Sequence, residues 1–251
     1  EVGERGDYHR CPDWAENIAL TMANMPTDNL QVTREISATE TAMYVFTSGT
    51  TGLPKASVQP HFKYVVVARV ISKLGFRVKP TDRLYLCLPL YHSTGMMPGF
   101  VSFIAHGASI FLRRTFSASN FWPEVQKYQT NCFVYVGELC RYLVDQEESA
   151  AEKNNPLKKM MGNGLRPDVW DQFRDRFGVK RICELYGASE GNFSFLNVLN
   201  KDKTIGAALS PVALVQYDLE NDSIVRDGDG HCIEVPLGEA GLLLGKITPE
   251  T

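Results

Sequence analysis

Residues 132–146 read CFVYVGELCRYLVDQ. Cys132 to Val136 is an unbroken apolar run of strand length, rich in β-branched and aromatic residues. Gly137-Glu138 then turns the chain, and 138–146 carries a helical pattern. The same unit recurs outward in both directions. Apolar runs at 42–46 (AMYVF), 84–90 (LYLCLPL), 108–112 (ASIFL) and 181–186 (RICELY) read as strands. Helix candidates lie near 60–74, 95–106, 118–129 and 167–177. The last is punctuated at both ends: Pro167 sits in its first turn, and Gly178 stops it. Leu165, Val169, Trp170, Phe173 and Phe177 share one side of it. This alternation predicts an α/β layered structure with a largely parallel sheet and helices.

The flanking segments differ. Residues 1–38 are polar and broken and read as the tail of a preceding segment, with the α/β region spanning 39–203. The stretch DQEESAAEKNNPLKK (145–159) reads as a solvated, charge-rich connection. From 204 to 251 short β-like runs alternate with Asp-Gly turns, and DGDG at 227–230 is a hairpin signal. This predicts a partial antiparallel β subdomain. The chain begins at Glu1 and stops at GKITPET, as expected of a piece of a longer protein.

A length of 251 residues suffices for a substantial core. A formal charge of −3 provides no basic field for nucleic acid. Cys11, Cys87, Cys132, Cys140, Cys183 and Cys232 are scattered, with no C-x-x-C pair, which suits reduced thiols in a cytoplasmic protein. No apolar stretch approaches the roughly 20 residues of a membrane span. Membrane attachment of the whole protein through other segments stays open.

The stretch YVFTSGTTGLPK (44–55) carries the strongest chemical signal. It is not a Walker A loop, because Leu53 and Pro54 separate Gly52 from Lys55, and Ala56 replaces the magnesium hydroxyl. Pro54 disfavours helix at Leu53, so the chain should leave the loop extended. Gly49 and Gly52 permit converging backbone N–H groups. Thr47, Ser48, Thr50 and Thr51 offer hydroxyl donors, and Lys55 offers a point charge. A plain polar hairpin turn is the bland alternative.

If the strands run parallel, the turns that follow them share one sheet edge, where ligands bind. Those turns are Tyr91-His92-Ser93-Thr94-Gly95, Gly137-Glu138, Gly162-Asn163-Gly164 and Gly187-Ala188-Ser189-Glu190-Gly191. Magnesium is commonly held by one or two protein oxygens plus phosphate, and Thr47 with Glu190 meets that need. Tyr186 suits stacking on a purine ring, or burial as a strand aromatic. His92 alone reads more readily as a hydrogen-bonded structural histidine than as a functional one.

Together, YVFTSGTTGLPKAS, LPLYHSTG, GNGLR and ELYGASEG resemble the adenylate-forming superfamily of acyl-CoA synthetases, luciferases and peptide-synthetase adenylation domains. The resemblance runs from about Thr41 to the C-terminus. GFRVKPTDRLYLCLPLYHSTG, FSASNFWPEVQKYQTN and VGELCRYL are similar to the fatty acid transport protein and very-long-chain acyl-CoA synthetase branch. The resemblance implies ATP-dependent, AMP-forming ligation of a long-chain fatty acid to coenzyme A, with Mg²⁺. It implies phosphate binding by Thr47 to Lys55 and Mg²⁺ contact by Thr47 and Glu190. Adenine would be framed by Gly162, Asn163, Gly164, Glu184, Leu185 and Tyr186, continuing through Gly187 and Ala188. Ser189, where the family usually has threonine, would meet the α-phosphate, and His92 would lie between acyl carboxylate and α-phosphate. The acyl tail would run near Gly137 to Arg141 and the 94–103 helix. The chain ends before the family's ribose-binding aspartate and its C-terminal lid domain, so the piece alone is expected to be largely inactive. A non-catalytic fatty acid carrier on the same fold, or an enzyme adenylating a different carboxylic acid, are the alternatives.

Overall fold

The computed structural model describes residues 14, 18–22, 24–47, 53–189, 191 and 193–247. The chain divides into two units, Glu1–Ser37 and Ala38–Thr251. The first contains a short helix α1 (Ile18–Met22) and a 3-10 turn at Gln31–Arg34.

The second unit is organised by strands whose both faces are apolar. β3 (Arg83–Leu86), β4 (Ser109–Leu112), β5 (Cys132–Val136), β6 (Lys159–Asn163) and β7 (Arg181–Gly187) are parallel, in the order β4-β3-β5-β6-β7. β8 (Ser194–Leu196) and β9 (Ala207–Ala208) extend this sheet antiparallel. Because side chains alternate with period two, Tyr85, Phe133, Tyr135, Met160 and Ile182 face one core. Leu84, Leu86, Cys132, Val134, Met161 and Cys183 face the other. Helices α4 (Ala118–Tyr128), α5 (Gly137–Val144) and α6 (Pro167–Asp175) cover the first face. The second is covered by Phe76 and Phe103 and by the partly buried Ile71 and Phe100. Burial on both sides is why the strands read as continuous apolar runs rather than alternating ones.

The helices over the second face are wide. α2 (His61–Val66) continues into a π-helical segment Val67–Phe76, and another, Gly95–Val101, precedes α3 (Ser102–Ile104). Pro98 lies inside the second, where its missing N–H breaks the regular α ladder. Arg181 donates to the carbonyls of Gly75 (2.6 Å) and Leu74 (2.7 Å), satisfying the end of the first.

Three readings of the sequence change. The run 84–90 is strand only to Leu86, because Pro89 turns the chain. The strand at 42–46, β1 (Thr41–Thr47), lies outside the large sheet and pairs antiparallel with β2 (Lys55–Pro60). The chain does leave the loop extended, as Pro54 predicts. The connection 145–159 is not wholly solvated: Leu157 is fully buried, and Asn155 donates to the Phe177 carbonyl at 3.0 Å. Buried Glu152 pairs there with Arg176 at 3.0 Å, the partnering that a buried charge requires.

The last part of the chain contains antiparallel ribbons. β10 (Val212–Val215) pairs with β13 (Leu242–Gly245), and β11 (Tyr217–Asp218) pairs with β12 (Ser223–Ile224). The DGDG turn is closed by an Arg226–Cys232 bridge. Among the described residues, no helix is long and apolar enough to cross a membrane.

The N-terminal end of the sheet is fastened by Asp82, which accepts from the Lys159 ammonium (2.5 Å), the Asn131 amide (2.8 Å) and the Lys79 N–H (2.8 Å). Burial alone would raise the Asp82 carboxyl; Lys159, Lys79 and Asn131 outweigh it and hold it below the usual range. Asp82 therefore contributes stability above the ordinary aspartate range, and the contribution is lost as pH falls through its depressed value. Asp82→Asn should cost about 3 kcal/mol at neutral pH. Urea unfolding should show that cost vanishing in acid.

Candidate functional site

The site is built from the chain segments that emerge at the C-terminal ends of β3, β5, β6 and β7, and from the β1–β2 ribbon. Tyr135 on β5, Gly162 on β6 and Glu184 on β7 stand in one cross-strand row. A Cβ at Gly162 would lie 2.0 Å from the Tyr135 carbonyl, so only glycine leaves space for the flanking side chains to meet. They do meet: the Tyr135 hydroxyl donates to the Glu184 carboxylate across the middle strand. Glu184 also accepts from Leu165 N at 2.9 Å.

Glu184 is 4% exposed. Burial raises its pKa, opposed by the Tyr135 hydroxyl and by the Leu165 and Gly164 N–H groups. Burial and the adjacent carboxylate push the Tyr135 phenol far above its ordinary range, so it stays a donor. Next along the turn, Gly164 adopts φ +78°, and its carbonyl would lie 1.8 Å from a Cβ at Gly137. The turns after β5 and β6 are thus in backbone contact.

Above this floor lies a cleft of about 430 Å³. Asn163, Gly164, Glu184, Leu185, Tyr186 and Gly187 line it, so the two motifs singled out in the sequence share one cavity. Tyr186 is 49% exposed and packs edge-on to Phe195 at 6.1 Å, which leaves it ring surface to offer. The volume falls within the usual range for small-molecule sites, about 300–1,000 Å³. Lys203, Thr204 and Ile205 form another part of the wall, and the sequence reading missed them. Lys203 lies in a left-handed conformation (φ 56°) and is tied to Asp171 at 2.6 Å. No local motif marks that segment.

The remaining motifs join at the same edge. Thr94 Oγ1 donates to Asn163 Oδ1 at 3.4 Å, and Thr94 N donates to His92 Nδ1 at 3.3 Å. Neutral His92 therefore carries its proton on Nε2. Its side chain is exposed. Ser189 Oγ donates to Ser93 Oγ at 3.1 Å. The Ser189 carbonyl accepts from Gln59 Nε2 at 2.8 Å and from Lys63 Nζ at 3.3 Å, which brings the ribbon to the sheet edge. Sequence reading placed Ser93 in the turn at this edge without a role of its own, and missed Gln59, Lys63 and Tyr135.

Thr47 and Lys55 face each other at the open end of the ribbon, with Thr47 Oγ1 3.5 Å from the Lys55 carbonyl. Ser48, Gly49, Thr50, Thr51, Gly52 and Glu190 lie outside the described residues. Among the described residues no cluster of three acidic, histidine or cysteine side chains could hold a metal ion. Magnesium does not require one, since it is commonly bound through one or two protein oxygens. The region predicted for an acyl tail contains an exposed ion cluster, Glu138–Arg141–Asp145, with pairs of 2.5 Å and 2.7 Å.

Comparisons with known proteins agree on a family. The sequence matches the model described as AMP-binding enzyme over residues 7–235. It is 43% identical over 232 residues to the medium/long-chain-fatty-acid–CoA ligase FadD6 of Mycobacterium tuberculosis, covering 92% of this chain and 39% of the relative. Long-chain fatty acid transport protein 3 of Homo sapiens is 39% identical over 221 residues, covering 86% of this chain and 32% of the relative. The chain thus spans about two fifths or less of these relatives. In fold, it superposes on the inhibitor-bound N-terminal domain of FACL13 from Mycobacterium tuberculosis with a TM-score of 0.68 at 19% identity, covering 87% of this chain and 53% of that one. ATP-bound MatB from Rhodopseudomonas palustris gives 0.67 at 19% identity, covering 83% and 40%.

The raised Glu184 pKa gives a testable sign. A raised group contributes stability that is present below its unfolded value and lost as pH rises through the folded one. The stability difference between wild type and Glu184→Gln should therefore shift toward the variant as pH rises above the ordinary glutamate range. Tyr135→Phe, which removes a donor from the buried carboxylate, should cost about 1–3 kcal/mol. Urea titrations across pH check both.

Proposed function

Because the chain belongs to the AMP-binding enzyme family, we propose that the protein containing it activates a long-chain fatty acid with ATP and passes the acyl group to coenzyme A. The observation that carries this reading is convergence. The phosphate-type ribbon, the His92 turn, the Gly162–Gly164 turn and the Tyr186–Ser189 segment meet at one sheet edge beside one cleft. A parallel α/β sheet places its ligands at that edge.

In the proposed reaction a carboxylate oxygen forms a bond to the α-phosphorus as the bond to pyrophosphate breaks. The coenzyme A thiol then displaces AMP, giving the thioester. The protein contributes position and charge, not a covalent intermediate. Thr47 to Lys55 cradles the β- and γ-phosphates, with the Lys55 ammonium offsetting charge on the leaving pyrophosphate. Gly162 to Gly164 and Leu185 to Ala188 frame adenine, with the Tyr186 ring as a stacking surface. Ser189 meets the α-phosphate, and exposed His92 orients the attacking carboxylate through Nε2. Thr47 and Glu190 supply hard oxygen donors of the kind Mg²⁺ takes, and the bound ion would neutralise phosphate charge. Glu184 acts from beneath: its carboxylate holds the Gly164–Leu165 turn while its backbone contributes to the adenine wall.

A second reading has an observation behind it, since several relatives are named long-chain fatty acid transport proteins. A carrier that only holds lipid needs no phosphate grip, which favours the ligase. ATP–pyrophosphate exchange by the whole protein separates the two. Exchange with long acyl chains, but not with acetate or amino acids, supports fatty acid activation. No exchange with any acid in the presence of Mg²⁺ favours the carrier. Lys55→Ala and Glu190→Gln should each slow exchange by roughly ten- to a thousandfold.

A further inference from the structure

We propose that Gln59 and Lys63 are positioning residues for the nucleotide site, fixing Ser189 in register with the ribbon that carries the Thr47–Lys55 loop. The inference rests on the reading of Ser189 as the α-phosphate contact.

Among the described residues, the β1–β2 ribbon has no strand pairing with the seven-stranded sheet. Something else must set the separation between its loop and the sheet edge. Gln59 is the penultimate residue of β2, and Lys63 lies in the first turn of α2, so the pair spans the strand-to-helix junction at Pro60. Their side chains converge on one acceptor, the Ser189 carbonyl, at 2.8 Å and 3.3 Å. A carbonyl oxygen has two lone pairs, and the two donors occupy both. Gln59 is 1% exposed, and its Nε2 donates also to Ser57 Oγ at 2.7 Å. Both of its N–H groups are therefore used, as burial of an amide demands.

Ser189 is also held from the other side, its Oγ 3.1 Å from Ser93 Oγ; when its proton turns to phosphate, the hydroxyl can still accept from Ser93. The residue is thus anchored at the carbonyl by the ribbon and at the hydroxyl by the turn carrying His92. One consequence follows for catalysis. The Thr47 and Lys55 ends of the ribbon and the Ser189 contact for the α-phosphate are held in one register before substrate arrives, which is preorganisation. The Lys63 ammonium also makes its half of this tether a charge-assisted hydrogen bond, stronger than a neutral one.

The test uses the whole protein, ATP–pyrophosphate exchange with a long-chain fatty acid, and thermal unfolding. Lys63→Met keeps the stem and removes the donor, whereas Lys63→Arg keeps a donor and the charge. Gln59→Glu is isosteric but presents an acceptor to the carbonyl. Lys63→Met and Gln59→Glu should lower kcat/KM for ATP by about tenfold or more, leaving the fatty acid KM unchanged, with Lys63→Arg restoring most of the loss. The melting temperature of Lys63→Met should fall by no more than about 4 °C, the loss of one such bond. Exchange by Lys63→Met within about twofold of wild type would overturn the proposal, as would Lys63→Arg behaving no better than Lys63→Met. If Gln59→Glu does not fold, the Lys63 pair decides. Wild type without exchange for any acid instead overturns the nucleotide-site reading itself.

Discussion

One buried carboxylate governs the shape of the site. Glu184 lies where β7 leaves the core, and ionised carboxylates are costly to bury without donors. Its donors come from two other parts of the chain, the Tyr135 hydroxyl on β5 and the backbone of the turn after β6. The contact with Tyr135 must pass over β6, and Gly162 makes that passage by having no side chain. Replacing any one of the three disturbs the other two. The glycines at 137 and 164 belong to the same constraint, since their backbones approach too closely for a Cβ at 137. The cleft above inherits its floor from this arrangement.

The phosphate-type loop obeys a different logic. Its strands form a two-stranded ribbon that buries Val45, Ser57 and Gln59 and exposes Tyr44, Phe46 and Val58. An isolated two-stranded ribbon is marginal in water. Hydrogen bonds at its far end, where Gln59 and Lys63 reach Ser189, tie it to the sheet. The candidate site thus combines a floor set by close backbone packing with a clamp set by side-chain donors. Steric exclusion fixes the first, and directional bonds of about 1 kcal/mol or more each fix the second.

Much of the fold was legible because its signals are local. Apolar runs such as CFVYV and the capped helix from Pro167 declare themselves within a few residues, and α6 buries Val169, Trp170 and Phe173 as its periodicity requires. Pro54 correctly announced extended chain after the loop. What escaped was non-local. Nothing near 42–46 shows that β1 pairs with 55–60 rather than joining the parallel strands. Nothing in DQEESAAEKNNPLKK shows that Arg176, two dozen residues later, will bury Glu152. The wide helical segments also escaped, because apolar spacing at 60–74 and 95–106 fits α and π geometry alike over two turns.

The site was legible as a set of residue types, less so as a set of atoms. Glu184, Leu185 and Tyr186 stand side by side in ELYGASEG, yet pleating and depth in the sheet send them to different work. Glu184 turns into the core, Leu185 is half-buried, and Tyr186 emerges into the cleft. A motif read as a string assigns all three to the ligand, whereas alternation turns Leu185 to the opposite face, and depth along the strand leaves Glu184 to the scaffold and the Tyr186 ring to the cavity. The same distinction applies to Ser189. Its hydroxyl and carbonyl are claimed by partners 96 and 126–130 residues away, so its place is decided by Ser93, Lys63 and Gln59 rather than by its neighbours in the motif. Residue identity along the chain specifies which chemistry is present, and long-range hydrogen bonding specifies where it points.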